Sequence, residues 1–321
     1  GVLIGVGSSS RVSIELGAGN TETAHRLLGN AFVLTWINGI IYIVLFAAFL
    51  DPLLLLFGAS EATLPYAHRY MLVLLPGCLL TNLTYGLNNI MRASGYPGRA
   101  MTTMLIGAVI NVALDPLFIY VFGWGIEGAA WATDIAMAVS AIFVVAHFCR
   151  RDTTVRFRRG IYTLRLKIIT GIISIGAAPA LVNAAACLVN MLANRSLLGH
   201  GGDRDIGAAG ILVTYSSLLV TVVLGICMGM QPVVGYNFGA GKLHRLRKAY
   251  LLAVAAASAI TVAGGLAATT CPSHIARVFT TDADLIAATD RALATAMLVF
   301  PVVGFQIIST SFFQSIGNAT E

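Results

Sequence analysis

Nine apolar stretches separated by short polar turns account for most of the chain: residues 1–16, 28–49, 66–91, 101–122, 128–148, 166–192, 206–238, 249–270 and 285–316. About 20 apolar residues cross a hydrocarbon core as a helix, and the stretches lack the period-2 alternation of an outer-membrane barrel. The pattern predicts an all-α polytopic transmembrane helical bundle. Each turn between stretches reverses the direction of crossing, so alternate turns lie on opposite sides of the membrane.

Composition agrees with that reading. The 321 residues are 57% hydrophobic and 11% charged, with a mean hydropathy of +0.83; a soluble domain carries about 25% charge. The five cysteines (Cys78, Cys149, Cys187, Cys227, Cys271) have no CxxC spacing and are expected to be small buried hydrophobes. Fifteen of the 20 basic residues fall on one side: Arg11, Arg26, Arg92, Arg99, the run from Arg150 to Lys167, and Lys242 to Lys248. The other side holds five, with the acids Asp51, Glu61, Glu127, Asp203, Asp205, Asp282, Asp284 and Asp290. By the positive-inside rule the first side is cytoplasmic. The net charge of +6 therefore anchors topology, in contact with the lipid bilayer, and no nucleic-acid partner is expected.

An internal repeat runs at an offset of 222 residues. "GVGSSSRVSIELGAGN" (5–20) aligns with "CMGMQPVVGYNFGAGK" (227–242), and Gly95 in "MRASGY" aligns with Gly317 in "FQSIGN". The copies stand six segments apart, so both point the same way: a parallel repeat of two six-helix lobes. The expected domains are an N-terminal lobe at 1–149, a cytoplasmic linker at 150–165 and a C-terminal lobe at 166–321. Extending the offset beyond both ends predicts a fragment, lacking the first helix of one lobe and the last two of the other.

The chemistry concentrates in "NVALDPLFIYVFGWGIEGAAWATD" (111–134). Asn111 and Asp115 are four apart and share a helix face. Pro116 frees the Val112 carbonyl one turn back, and such a carbonyl survives in lipid only against protein, water or an ion. After the turn, Thr133 returns at similar depth. Asp134 is rotated from it by about 100°, as a second titrating group or a surface-facing acid. No Lys or Arg lies between Arg99 and Arg150. An ionised carboxylate kept in this setting costs several kcal/mol, so a proton or Na⁺ is its expected partner, with Asp115, Asn111 and Thr133 as the Na⁺ ligands. Pro76, Pro116, Pro179, Pro232 and Pro301 are expected to break helices around a central cavity. Tyr85, Asn89, Asn183, Gln231 and Gln306 are candidates to line it. His25 and His244 are expected to be solvated.

These residues together resemble a known family. "SIELGAGN", the 111–134 stretch, "MGMQPVVGYNFGAGK" and "FFQSIG" are similar to the MATE (multidrug and toxic compound extrusion) transporters, and "NRSLLGHGGDRDIGAAGI" (194–211) resembles their bacterial branch. The resemblance implies a monomeric carrier of the bacterial cytoplasmic membrane that exports cationic or amphipathic drugs in exchange for H⁺ or Na⁺. It also implies a cation site on an N-x-x-x-D-P helix, which here is Asn111, Asp115 and, on the next helix, Thr133. Neither 172–190 nor 297–317 carries an acid, so ion coupling is expected from the N-terminal lobe alone. The alternative is a flippase for lipid-linked saccharides, which calls for an Arg- or Lys-rich cavity. An enzyme is not expected: no HExxH metal set, nucleophile–base pair or phosphate-binding Gly-Lys-Ser loop is present.

Overall fold

A computed structural model describes residues 1–57, 63–200 and 203–317, and their side chains except at 190, 193–200 and 203–206. Glu61 and the side chains of Arg195, Asp203, Arg204 and Asp205 fall outside that description. The described residues form twelve α-helices in order: α1 (Val2–Gly17), α2 (Thr21–Ala48), α3 (Leu50–Leu56), α4 (Leu64–Ala93), α5 (Pro97–Pro116), α6 (Gly125–Cys149), α7 (Leu166–His200), α8 (Asp203–Gly239), α9 (Leu243–Thr270), α10 (Pro272–Phe279), α11 (Ala283–Ala296) and α12 (Phe300–Ser315). The described residues include no strand. Among the described residues eight helical spans have the length and hydropathy to cross a membrane, α11 and α12 counting as one; α1, with 16 residues, is the shorter ninth segment.

Bilayer-facing surface explains the apolar composition. Ile40, Ile41, Val44 and Leu45 on α2 are each more than half exposed, as are Val109 and Val112 on α5. Apolar area on this scale would condemn a water-soluble chain, and in lipid it needs no cover.

The 222-residue repeat is written in the backbone. Moving α2 by 222 gives residues 243–270, the span of α9. After α1 the Asn20 amide reaches back to the Glu15 carbonyl at 2.8 Å, and after α8 the Lys242 amide reaches the Asn237 carbonyl at 2.8 Å. Both turns need a left-handed residue, and glycine provides it at Gly19 (φ 82°) and Gly241 (φ 68°).

Two compact units arise, Gly1–Ala180 and the chain from Leu181 onward. The first is built on Val12, Leu28, Leu87, Ile90, Phe148 and Ile172. It includes the segment 150–165 and the first half of α7. There α1 and α7 touch through backbone: a methyl on Gly7 would lie 2.0 Å from the Ile172 carbonyl oxygen, and one on Gly176 1.8 Å from that of Leu3. Small residues are what let helices approach this closely. The second unit packs Val223, Cys227, Val234 and Ile308 in one cluster and Ala268, Leu293, Met297 and Phe300 in another.

Three expectations change. First, α4, α7 and α8 run unbroken through Pro76, Pro179 and Pro232. Among the described residues a change of helical form occurs only at Pro116, which a π turn follows (Leu117–Val121), and before Pro301, where Met297–Val299 is a 3-10 turn. A proline costs a helix one bond, and neighbouring packing absorbs it in the other three. Second, Cys149, Cys187 and Cys271 are exposed, Cys78 is half-buried and only Cys227 is buried. Third, His25 is buried, 2% exposed, with Nδ1 2.6 Å from the Thr21 carbonyl. It lies in the first turns of α2, alongside Ala24, Leu27 and Leu28 in the core. His244 is exposed as expected.

Candidate functional site

The α5–α6 hairpin closes because of its turn chemistry. Gly123 (φ 69°) and Gly125 (φ 55°) take left-handed conformations, the Trp124 amide donates to the Phe118 carbonyl at 3.0 Å, and the rings of Phe118, Phe122 and Trp124 pack at 5.1–5.5 Å. The amphipathic Trp124 ring at this end suits the membrane–water interface. Arg69 of α4 pairs with Glu127 at 3.9 Å on the same side. The π turn after Pro116 sends the Phe122 amide to the Leu117 carbonyl, five residues back; single π turns are frequent at functional sites.

With the turn fixed, α5 and α6 face each other in register. The Asn111 amide nitrogen donates to Asp115 Oδ1 at 3.4 Å and to Thr133 Oγ1 at 3.3 Å. Thr133 Oγ1 in turn donates to the Ala129 carbonyl at 3.0 Å. All three side chains are half-buried. The structure thus brings Asn111, Asp115 and Thr133 together. Both contacts of the amide are long for N–H···O bonds, so the cluster is assembled without being tightly closed. Among the described residues Asp115 forms no ion pair. Its hydrogen bond runs back to Asn111, away from the Gly123–Gly125 turn.

Asp134 faces elsewhere. It is 8% exposed and lies against the backbone of Gly77 on α4, beside Pro76. Its Oδ1 has no hydrogen-bond partner, and the side chain is in no ion pair among the described residues. The reading of Asp134 as a surface-facing acid is therefore excluded. Successive residues of α6 present a hydroxyl to α5 and a carboxyl to α4.

The other polar candidates are dispersed. Tyr85 and Asn89 are neighbours on α4, both against Gly5 of α1; Asn89 is buried, accepts a hydrogen bond from Arg92, and leaves its own Nδ2 without a partner. Asn183, Gln231 and Gln306 lie on α7, α8 and α12; the first and third are exposed and the second is partly so. Sequence reasoning missed a cleft of about 490 Å³ in the second unit, lined by Leu212, Ser216, Val220, Thr221, Met297 and Phe300. Its one sequence signal is the spacing of Leu212, Ser216 and Val220, which places them along one face of α8.

A bundle of membrane spans with two repeated units is the build of a polytopic membrane transporter. The MatE family profile matches residues 1–117 and 179–320, and the chain belongs to that family. It is thus a transporter of the cytoplasmic membrane and not an enzyme. Multidrug export protein MepA of Staphylococcus aureus is 26% identical over 320 residues, covering 99% of this chain and 70% of the relative; the Staphylococcus haemolyticus MepA is 25% identical with the same coverage. Among solved structures, an outward-facing multidrug resistance MATE family transporter of the MOP superfamily superposes with a TM-score of 0.91, at 26% identity, covering 99% of this chain and 71% of the other. A MATE crystal structure in the bent conformation gives 0.92 at 26% identity, covering 99% and 70%.

Proposed function

We propose that this protein exports cationic or amphipathic drug-like compounds, exchanging them for an inward-moving H⁺ or Na⁺ by alternating access. The observation that carries the proposal is the cluster of Asp115, Asn111 and Thr133 between two membrane spans, with no ion pair to a fixed cation among the described residues. The MepA relatives, named as multidrug exporters, favour the same cargo class.

The geometry suggests how the ion would act. In the structure the Asn111 amide nitrogen sits between the oxygens of Asp115 and Thr133, where its partial positive charge stands in for a cation. Turning the amide over would present Oδ1 in place of nitrogen. Carboxylate, amide and hydroxyl oxygens would then face one point, a hard donor set suited to Na⁺. A proton would instead neutralise Asp115 and make it a donor. Either event removes the charge that costs most in this environment and relaxes the α5–α6 seam next to Pro116 and its π turn. The cleft in the second unit, apolar with hydroxyls at Ser216 and Thr221, suits an amphipathic guest.

Expressing Asp115→Asn in a drug-sensitive host tests this. Membrane insertion should be unchanged and drug resistance lost. Resistance at the wild-type level would overturn the role of Asp115.

A further inference from the structure

Between α6 and α7 the chain has no regular structure, yet it is held firmly. Val155 and Ile161 are 0% and 3% exposed within the core of the first unit. Phe157 packs edge-on against Phe32 at 5.2 Å and tilted against Phe148 at 5.8 Å. Asn30, on α2, donates to the carbonyls of Ile161 (3.2 Å) and Thr163 (3.1 Å) and accepts from the Arg165 amide (3.0 Å). The Tyr96 hydroxyl accepts from the Thr154 amide at 3.2 Å. Residues 150–165 are a strap, fastened at both ends and in the middle.

The outer side of the strap is basic. Arg150, Arg151, Arg158, Arg159, Arg165 and Lys167 are all exposed. Asp152, the one acid between 150 and 167, is already used: Arg150 holds it with two bonds of 3.1 and 3.3 Å, and Arg99 approaches to 3.7 Å. Arg158, Arg159, Arg165 and Lys167 have no acidic partner among the described residues. Among them stand Tyr162, Leu164 and Leu166, exposed by 41%, 44% and 76%. A span long enough to cross the membrane begins at Leu166, which sets this group at headgroup depth. Exposed apolar and aromatic side chains beside unpaired arginines are the makeup of an interfacial surface.

From this placement we infer that the strap is a docking surface for anionic phospholipid. Arg158, Arg159, Arg165 and Lys167 take headgroup phosphates, while Tyr162 and Leu166 enter the acyl boundary. Charge complementarity selects this occupant, because the cytoplasmic leaflet is the anionic one. Fastening by Asn30 and the buried Val155 and Ile161 means little backbone ordering remains for the lipid to impose, which favours a lasting site over a diffuse attraction.

Native mass spectrometry of the purified protein in mixed phosphatidylglycerol and phosphatidylcholine micelles tests it. The wild type should retain phosphatidylglycerol preferentially. R158Q/R159Q should lose that preference by roughly 25-fold, about fivefold per arginine, and R158K/R159K should keep most of it. R245Q/R247Q, with the same loss of charge in the first turns of α9, should change it by less than about threefold. Three results would each overturn the inference: undiminished retention in R158Q/R159Q, an equal loss in R245Q/R247Q, or displacement of the lipid by millimolar inorganic phosphate. Should R158Q/R159Q fold poorly, R165Q/K167Q carries the same expectation.

Discussion

Helices α4 and α6 approach each other closely where Gly77 meets Asp134. A methyl group on Gly77 would lie 1.7 Å from Asp134 Oδ1 and 2.4 Å from its Cγ. Ordinary contact begins near 3.5 Å, so Gly77→Ala demands a retreat of about 1.5 Å or more by a buried side chain or a whole helix. Overpacking of this kind costs about 1–3 kcal/mol, which is roughly 2–10 °C in melting temperature for a chain of this size. Asp134→Ala removes the clashing atoms together with a buried oxygen that has no partner, and is expected to be neutral within about 1 kcal/mol. Combined, the two substitutions should restore stability, giving a coupling close to the whole cost of Gly77→Ala. Thermal unfolding of the four proteins in detergent measures this. An equal penalty for Gly77→Ala with and without Asp134 would refute the packing described here.

Asn30→Ala removes three bonds to the strap, about 1 kcal/mol each. Trypsin cleavage after Arg158 and Arg159 should then rise by up to roughly 100-fold where opening and closing are fast relative to cleavage. Hydrogen bonds from Arg150 hold the Asp152 carboxyl below the usual carboxylate range. A depressed carboxyl stabilises the fold at neutral pH and loses that contribution as the pH falls through its own pKa, so Asp152→Asn should reduce the loss in melting temperature between pH 7 and pH 3. Gly7→Ala would press a methyl on the backbone oxygen of Ile172, which has no rotamer to yield, whereas Gly225 has open space around it. Fluorescence-detected size exclusion should show loss of the folded peak for Gly7→Ala and a normal profile for Gly225→Ala.

The spans and their repeat were legible in the sequence because the bilayer imposes a length on every apolar run, and because Gly19 and Gly241 perform the same left-handed turn. The nearness of Asn111, Asp115 and Thr133 was legible too, since a spacing of four fixes a helix face and a short Gly-rich turn fixes the depth of the returning helix. Asp134 was not: a rotation of about 100° says that it leaves the α5 face, and only α4 packing shows that Gly77 receives it. The strap escaped notice for a similar reason. Seven basic residues between 150 and 167 read as topology anchors on a linker, whereas the bonds that hold it join Asn30 to Ile161 and Arg165, more than 130 positions away. His25 followed the same rule, because burial at a helix end is a property of what packs over it.

Asp115 is the proposed place where a mobile cation enters. Reconstituted in proteoliposomes, the wild-type protein should move a fluorescent cationic dye when either a ΔpH or a Na⁺ gradient is imposed alone, with one of the two sufficing, and Asp115→Asn should abolish that gradient-driven flux while dye equilibration without a gradient persists. Gradient-driven transport by Asp115→Asn at the wild-type rate would contradict it.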